Sequence, residues 1–186
     1  MAGYPTDFFR DAAITLALDI GSFNNLRNVS GGLSLLATGM QELDQFDSLE
    51  SVVQVRVGYN EELVTLAGFS RLSSLGADRI ANNLMVINQQ LFIYDNPSLV
   101  TVTGFTSLTT INGNLYIREN PNLQSVPGLR SLRRVLGRMQ LHSNAANFNF
   151  SDLSGLQCHG GFGDTSTYRW RNCPNCPSWL LDKPRC

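Results

Sequence analysis

From residue 91 to residue 162 the apolar positions follow neither a helical period nor an unbroken strand period; a short alternation, a polar break and two further apolar positions return every 24 residues. The segments LFIYDNPSLVTVTGFTSLTTINGN (91–114), LYIRENPNLQSVPGLRSLRRVLGR (115–138) and MQLHSNAANFNFSDLSGLQCHGGF (139–162) align without a gap. Each opens on an alternating apolar pair: Leu91 and Ile93, Leu115 and Ile117, Met139 and Leu141. An Asn follows three residues later as Asn96, Asn120 and Asn144, then an apolar column of Phe105, Leu129 and Leu153, then Leu108, Leu132 and Leu156. Alternation over four or five residues is the signature of a strand with one buried face, and its return at fixed intervals is that of a repeat architecture.

The register extends backward through VRVGYNEELVTLAGFSRLSSLGAD (55–78), which supplies Val55, Val57, Asn60, Leu63, Gly68, Phe69, Leu72 and Leu75, with RIANNLMVINQQ (79–90) inserted before the next unit. FNNLRNVSGGLSLL (23–36) repeats the phrase once more. Units of this size bury their apolar face only by stacking, so the chain is expected to be mostly β, a parallel β-solenoid of about six turns. The first and third strand positions point inward and the second and fourth outward. Asn60, Asn96, Asn120 and Asn144 are predicted to stack into a structural ladder that satisfies turn backbone left unpaired by the sheet. Two glycine columns, Gly104 and Gly128 with Asp152 in third place, and Gly113, Gly137 and Gly161, are expected at corners. Asp in the first column suggests a left-handed backbone there, since Asp tolerates that conformation better than most residues.

The phrase L-x-I-x-x-N-P-x-L-x-x-[VT]-x-G-[FL]-x-S-L-x-x-[IV]-x-G, carried best by residues 55–156, resembles the receptor L domain, the leucine-rich-repeat-like module of the insulin and epidermal growth factor receptor ectodomains. Related phrases occur in fungal cell-wall glycoproteins. The resemblance implies a right-handed solenoid of leucine-rich-repeat type that binds a ligand or partner, usually outside the cell. It implies no catalytic residues.

The chain's 186 residues, 42% of them hydrophobic, suffice for one continuous core. We divide it into an L-domain-like solenoid over 1–162, including a short N-terminal cap, and a cysteine-containing cap over 163–186. In PTDFFRDAA (5–13), Phe8 and Phe9 are expected to cover the open end of the core, and AAITLALDI (12–20) is read as the first turn. A net charge of −1 offers no general attraction to nucleic acid, and no stretch approaches the roughly 18 apolar residues of a membrane span, so neither nucleic-acid binding nor membrane insertion by this segment is expected. Residues 1–62 carry nine acids against three bases, or −6, and the remainder carries +5. In a solenoid, sequence order is spatial order, so an acidic and a basic end are expected, with end-to-end self-association as one consequence.

All four cysteines, Cys158, Cys173, Cys176 and Cys186, fall in the last 29 residues, with Trp170, Trp179, Leu180 and Leu181 as apolar cover for the solenoid end. Two disulfides would staple such a cap in an oxidising compartment. The Cys173–Cys176 spacing also fits a zinc knuckle completed by Cys158 with His159 or Cys186, which would place the protein in the cytoplasm as a scaffold. Free thiols are the third reading. The resemblance favours disulfides and an extracellular or cell-surface location. So do two glycosylation sequons, at Asn28 and Asn149.

Neither His142 nor His159 sits in a catalytic phrase, and Asp95 and Glu119 are the only acids of one column, thin support for a carbohydrate-active β-helix enzyme. No enzyme activity, cofactor or metal is therefore expected. The more specific signal is the outward sheet face, whose second strand position reads Arg56, Phe92, Tyr116 and Gln140 and whose fourth reads Gly58, Tyr94, Arg118 and His142. Tyr and Arg are the usual anchors of interfaces, although aromatic ladders also stabilise sheets. The expected function is recognition or adhesion, with a protein or glycan ligand on this face.

Overall fold

A computed structural model of the protein describes residues 12–15, 21–76, 90–161 and 175–186. The N-terminal cap with Phe8 and Phe9, nearly all of the insertion at 79–90, Trp170 and Cys173 lie outside them. In chain order the strands are β1 (Ala12–Thr15), β2 (Asn28–Leu36), β3 (Glu42–Leu43), β4 (Ser51–Gly58), β5 (Thr65–Leu66) and β6 (Ser74–Leu75). Then follow β7 (Gln90–Tyr94), β8 (Thr101–Val102), β9 (Thr110–Ile111), β10 (Asn114–Arg118), β11 (Arg134–Val135), β12 (Met139–His142) and β13 (Cys158–His159).

The chain winds into a parallel β-solenoid of about five turns. Its main sheet has the order β1-β2-β4-β7-β10-β12, and two narrower parallel sheets, β3-β5-β8 and β6-β9-β11-β13, form the other sides. The repeat alignment fixes the register: Leu115 pairs with Leu91 and Met139, and Ile117 with Ile93 and Leu141. Across the insertion, Val55 and Val57 still meet Leu91 and Ile93, so the extra residues leave the stacking undisturbed. AAITLALDI does open on the first strand, β1 pairing with β2. The second and third sides leave no periodic signature in the sequence, because they are built from two-residue strands.

The predicted inward positions form one continuous core, with Val55, Val57, Leu91, Ile93, Leu115, Ile117 and Met139 fully buried. Through it runs a column of rings: Phe46 lies 5.1 Å from Phe69, and Phe69 4.5 Å from Phe105 with the planes 6° apart. Leu129 and Leu153 continue that column where the aromatic series stops.

The Asn ladder is present and fully buried at Asn60, Asn96 and Asn120. Each side-chain oxygen accepts from the rung before it, Asn60 N–H donating to Asn96 Oδ1 at 3.2 Å and Asn96 N–H to Asn120 Oδ1 at 3.2 Å. Each Nδ2 donates to strand carbonyls, that of Asn96 to Val57 O at 3.2 Å and Tyr94 O at 2.9 Å, and that of Asn120 to Ile93 O at 3.1 Å and Arg118 O at 2.9 Å. Asn144 ends the series, accepting from Asn120 Nδ2 and donating to Ile117 O. At the other end Thr38 stands in for Asn, its N–H and Oγ1 both donating to Asn60 Oδ1 at 2.9 Å.

The left-handed corner is not at the Gly104–Gly128 column. It falls on the residue before each ladder position, where Ala37, Tyr59, Asp95, Glu119 and Ser143 have φ between 49° and 60°, and again just after the column, at Phe69 and Phe105 with φ of 60° and 66°. Such a conformation costs on the order of 1 kcal/mol for a residue with a Cβ. Among the first glycine column Gly68 has positive φ, at 79°, whereas Gly104 and Gly128 do not. Those two are glycine because turns meet there backbone to backbone: a Cβ at Gly104 would stand 2.6 Å from Gly68 O, and one at Gly128 would overlap Gly104 O. Asp152 occupies the same column for a third reason. Val102 N–H donates to Ser125 O one turn on, but Val126 N–H finds the buried Asp152 Oδ2 at 2.9 Å, so a carboxylate closes the last turn where no further strand follows. Arg130 holds the other oxygen at 2.9 Å.

The C-terminal segment is a cap on this end. Cys158 and Cys186 form a disulfide, which removes both thiolates from the alternative zinc set. Cys176 is disulfide-bonded as well. Buried His159 accepts from Gly161 N–H at Nδ1 and pairs through Nε2 with Leu180 O, tying β13 to the short helix Ser178–Leu181. Leu180 is fully buried as expected, whereas Trp179 lies on the outside, 38% exposed.

Two stability measurements follow. Asn120→Ala strands buried backbone groups whose desolvation costs about 1–3 kcal/mol each, so its melting temperature falls well below that of Asn122→Ala, which loses only an exposed bond to Pro97 O. Gly128→Ala and Gly128→Asp are both strongly destabilising, because the obstacle is the Cβ itself. By contrast, Gly39→Ala, with φ at 68° and open space around its Cβ, costs about 1 kcal/mol. A Gly128→Asp variant as stable as the native chain would refute the close-approach explanation.

Candidate functional site

The outward face of the main sheet is built by the same stacking that makes the core, because alternate residues of β4, β7, β10 and β12 must point away from it. Arg56, Phe92, Tyr116 and Gln140 stand side by side in one register row, and Gly58, Tyr94, Arg118 and His142 in the next. The structure therefore brings together all seven residues expected on the face.

They are not equivalent. Tyr94 is only 4% exposed and lies over Gly58, where a Cβ would come within 2.5 Å of its ring. Phe92 stacks against it at 4.0 Å, Tyr59 meets it edge-on at 5.0 Å, and Arg56 donates from Nη2 to its hydroxyl at 3.2 Å. Tyr94 is thus the foundation of the face rather than an accessible anchor. Phe92 is the hub: Tyr116 contacts it edge-on at 5.5 Å, and the guanidinium carbons of Arg56 and Arg118 lie 5.9 and 5.1 Å from its centre. Such cation–π contacts contribute about 0.5–2 kcal/mol each, more as water is excluded.

Electrostatics follow from this crowding. The Nε atoms of Arg56 and Arg118 are buried and without a hydrogen-bond partner among the described residues. Arg118 Nη1 reaches the half-exposed Glu119 at 3.4 Å, a weak surface pairing. Burial raises the Tyr116 hydroxyl above its ordinary pKa, against the pull of Arg138 and Arg118, so it stays a neutral donor. Burial and then Arg118 lower the pKa of His142, with Glu119 opposing, which keeps the ring neutral at physiological pH.

No family model, curated protein or solved structure matches this chain.

The geometry of the chain itself is accordingly what defines the site. Asn149 is exposed and caps the turn Phe150–Leu153, its Oδ1 accepting from Ser151 Oγ at 2.7 Å. Asn28 opens β2 and is half-buried. Asp95 and Glu119, the carboxylate column, stand at left-handed corners on the rim of the face. No cluster of three His, Cys, Asp or Glu side chains placed to hold a metal occurs among the described residues, and no helix there is long and apolar enough to cross a membrane. Sequence reasoning missed Tyr59, 54% exposed beside Tyr94, and the polar row Gln54, Gln90 and Asn114 that borders the aromatic one. The signal for Tyr59 was its place directly before a ladder Asn, where the strand ends and the chain turns outward.

Tyr94→Ser empties the slot over Gly58 and is expected to cost about 3 kcal/mol or more, whereas Tyr116→Ser, half-exposed, costs under about 1 kcal/mol. Comparison of their urea midpoints checks the division of labour. For His142 the folded-state pKa lies below the ordinary 6.5, so the unfolded chain binds the proton more tightly. Its contribution to stability is complete above the unfolded value, begins to fall below it and is lost as pH drops through the folded value. His142→Gln should therefore flatten part of the decline in melting temperature below about pH 6.5, and the ring's NMR titration midpoint in the folded chain should lie under that value.

Proposed function

We propose that this chain is a non-catalytic recognition or adhesion module that binds a protein or glycan ligand on the outward face of its main sheet. The observation that carries the reading is the Arg56–Phe92–Tyr94–Tyr116–Arg118 cluster. Solvent-facing strands need no such arrangement to remain in register, since the core already fixes it. Planar side chains locked by neighbours lose little entropy when a ligand covers them, which is why such groups make effective anchors. The solenoid supports the same reading, because a stack of turns offers a long, rigid surface on which ligand contacts can be spread.

The resemblance to the receptor L domain agrees with this use of the fold, and we place the module outside the cell or at its surface. The Cys158–Cys186 disulfide is compatible with that setting, since such bonds persist in oxidising compartments. The exposed Asn149 is the better placed of the two sequons to carry a glycan.

A binding test separates face from fold. The intact chain, the double variant Tyr116→Ser/Arg118→Ser and a control, Arg134→Ser on the separate sheet containing β11, are screened against immobilised glycan and extracellular-protein panels. Ligands retained by the native chain and the control should bind the double variant at least about tenfold more weakly while it remains folded at the assay temperature, since tenfold needs only about 1.4 kcal/mol. Retention of every ligand by the double variant would move the site off this face.

A further inference from the structure

Resting on that reading of the face, we infer that its ligand is an acidic glycan, a pyranose chain bearing carboxylates that lies across β4, β7, β10 and β12. Three observations converge on this chemistry.

The first is charge. Arg56 has no carboxylate partner among the described residues, its Nη2 being spent on the Tyr94 hydroxyl, and Arg118 has only the half-exposed, weakly paired Glu119. Both guanidinium groups are pressed on aromatic rings with a buried Nε–H that lacks an acceptor. A cation partly stripped of water and incompletely hydrogen-bonded gains more from an anion than a fully hydrated one does. The two groups flank the single ring of Phe92, at 5.9 and 5.1 Å from its centre, one from the strand on each side of β7. A chain bearing carboxylates that crosses Phe92 meets a guanidinium group on either side of the ring.

The second is the make-up of the face. Exposed large apolar side chains among the described residues are Tyr59, Val64, Leu136 and Trp179, and only Tyr59 borders this surface. Half-exposed rings at Phe92 and Tyr116, framed by the amides of Gln54, Gln90 and Gln140, match a sugar. The C–H face of a pyranose packs on an aromatic ring while its hydroxyls pair with planar amides that both donate and accept.

The third is spacing. Parallel strands repeat every ~4.8 Å, close to the advance per residue of an extended 1,4-linked pyranose chain, so successive sugars lie over successive strands with alternate rings turned over. An extended peptide advances by ~3.3 Å per residue and falls out of step with the rows.

The probes are tetramers of β-1,4-linked mannuronate and glucuronate, neutral β-1,4-mannotetraose and hexaglutamate, titrated into the full chain by calorimetry at two salt concentrations. Expected is binding of at least one uronate tetramer at least tenfold tighter than mannotetraose, weakened by salt, lost at least tenfold in Arg118→Gln and partly restored in Arg118→Lys, with every variant still folded and unfolding cooperatively. Equal binding of mannotetraose would overturn the carboxylate inference while leaving recognition by this face intact. Tighter binding of hexaglutamate would overturn the glycan in favour of an acidic peptide. If no probe binds, the inference fails; recognition by this face fails with it only if the double variant Tyr116→Ser/Arg118→Ser also keeps every ligand found on the panels.

Discussion

The interaction on which the rest of this structure depends is the side-chain amide ladder from Thr38 through Asn60, Asn96 and Asn120 to Asn144. A solenoid must bend its chain sharply at the end of every main-sheet strand. Here each bend uses a residue with a Cβ in the left-handed region, an unfavourable choice repeated five times at one position. Strain of that kind persists only where the surroundings over-determine the conformation. The amide does so by holding the carbonyls of its own strand and of the strand before it, while its oxygen takes the N–H of the preceding rung. Because each rung's partners lie on its neighbours, the ladder couples all the turns.

That coupling explains why the outward face can be shaped so specifically. With the core and the ladder fixing register, side chains on the solvent side are free of that task, and they form a packed cluster of rings and guanidinium groups. Tyr94 reaches its position because Gly58, one strand away, leaves a slot for the ring. Phe92 and Arg56 then pack on Tyr94, and Tyr116 and Arg118 on Phe92. A rigid foundation and a half-exposed upper layer are what a recognition surface needs in order to bind without reordering itself.

The repeat made much of this legible in advance. Alternation gave the inward and outward sets, and the identical Asn at each turn gave the ladder. Thr38 escaped because a different residue type fills that rung, 22 residues before Asn60 rather than 24. The corner column escaped for a related reason: Ala37, Tyr59, Asp95, Glu119 and Ser143 share a backbone conformation but no side-chain chemistry, so nothing in their identities marks it. The Gly104 and Gly128 column was visible but misread, since glycine serves both positive φ and close approach, and only the distance to the next turn separates the two. Asp152 reinforced the misreading, because its carboxylate answers a need, an unpaired Val126 N–H at the last turn, that arises only once the stack ends. On the face, sequence placed Tyr94 correctly but could not show that Gly58 buries it.

The ladder's role is tested most directly by native-state hydrogen exchange at the amides of Thr38, Asn60 and Asn96, each of which donates to a side-chain oxygen of the following rung. If the amides lock the corners, these three protons exchange only through the cooperative opening that frees the strand amides of β10, with the same free energy and the same denaturant dependence. Exchange at the three sites by local opening, several kcal/mol easier than that of β10, would mean that the corners move independently of the sheet and that the ladder does not hold the solenoid together.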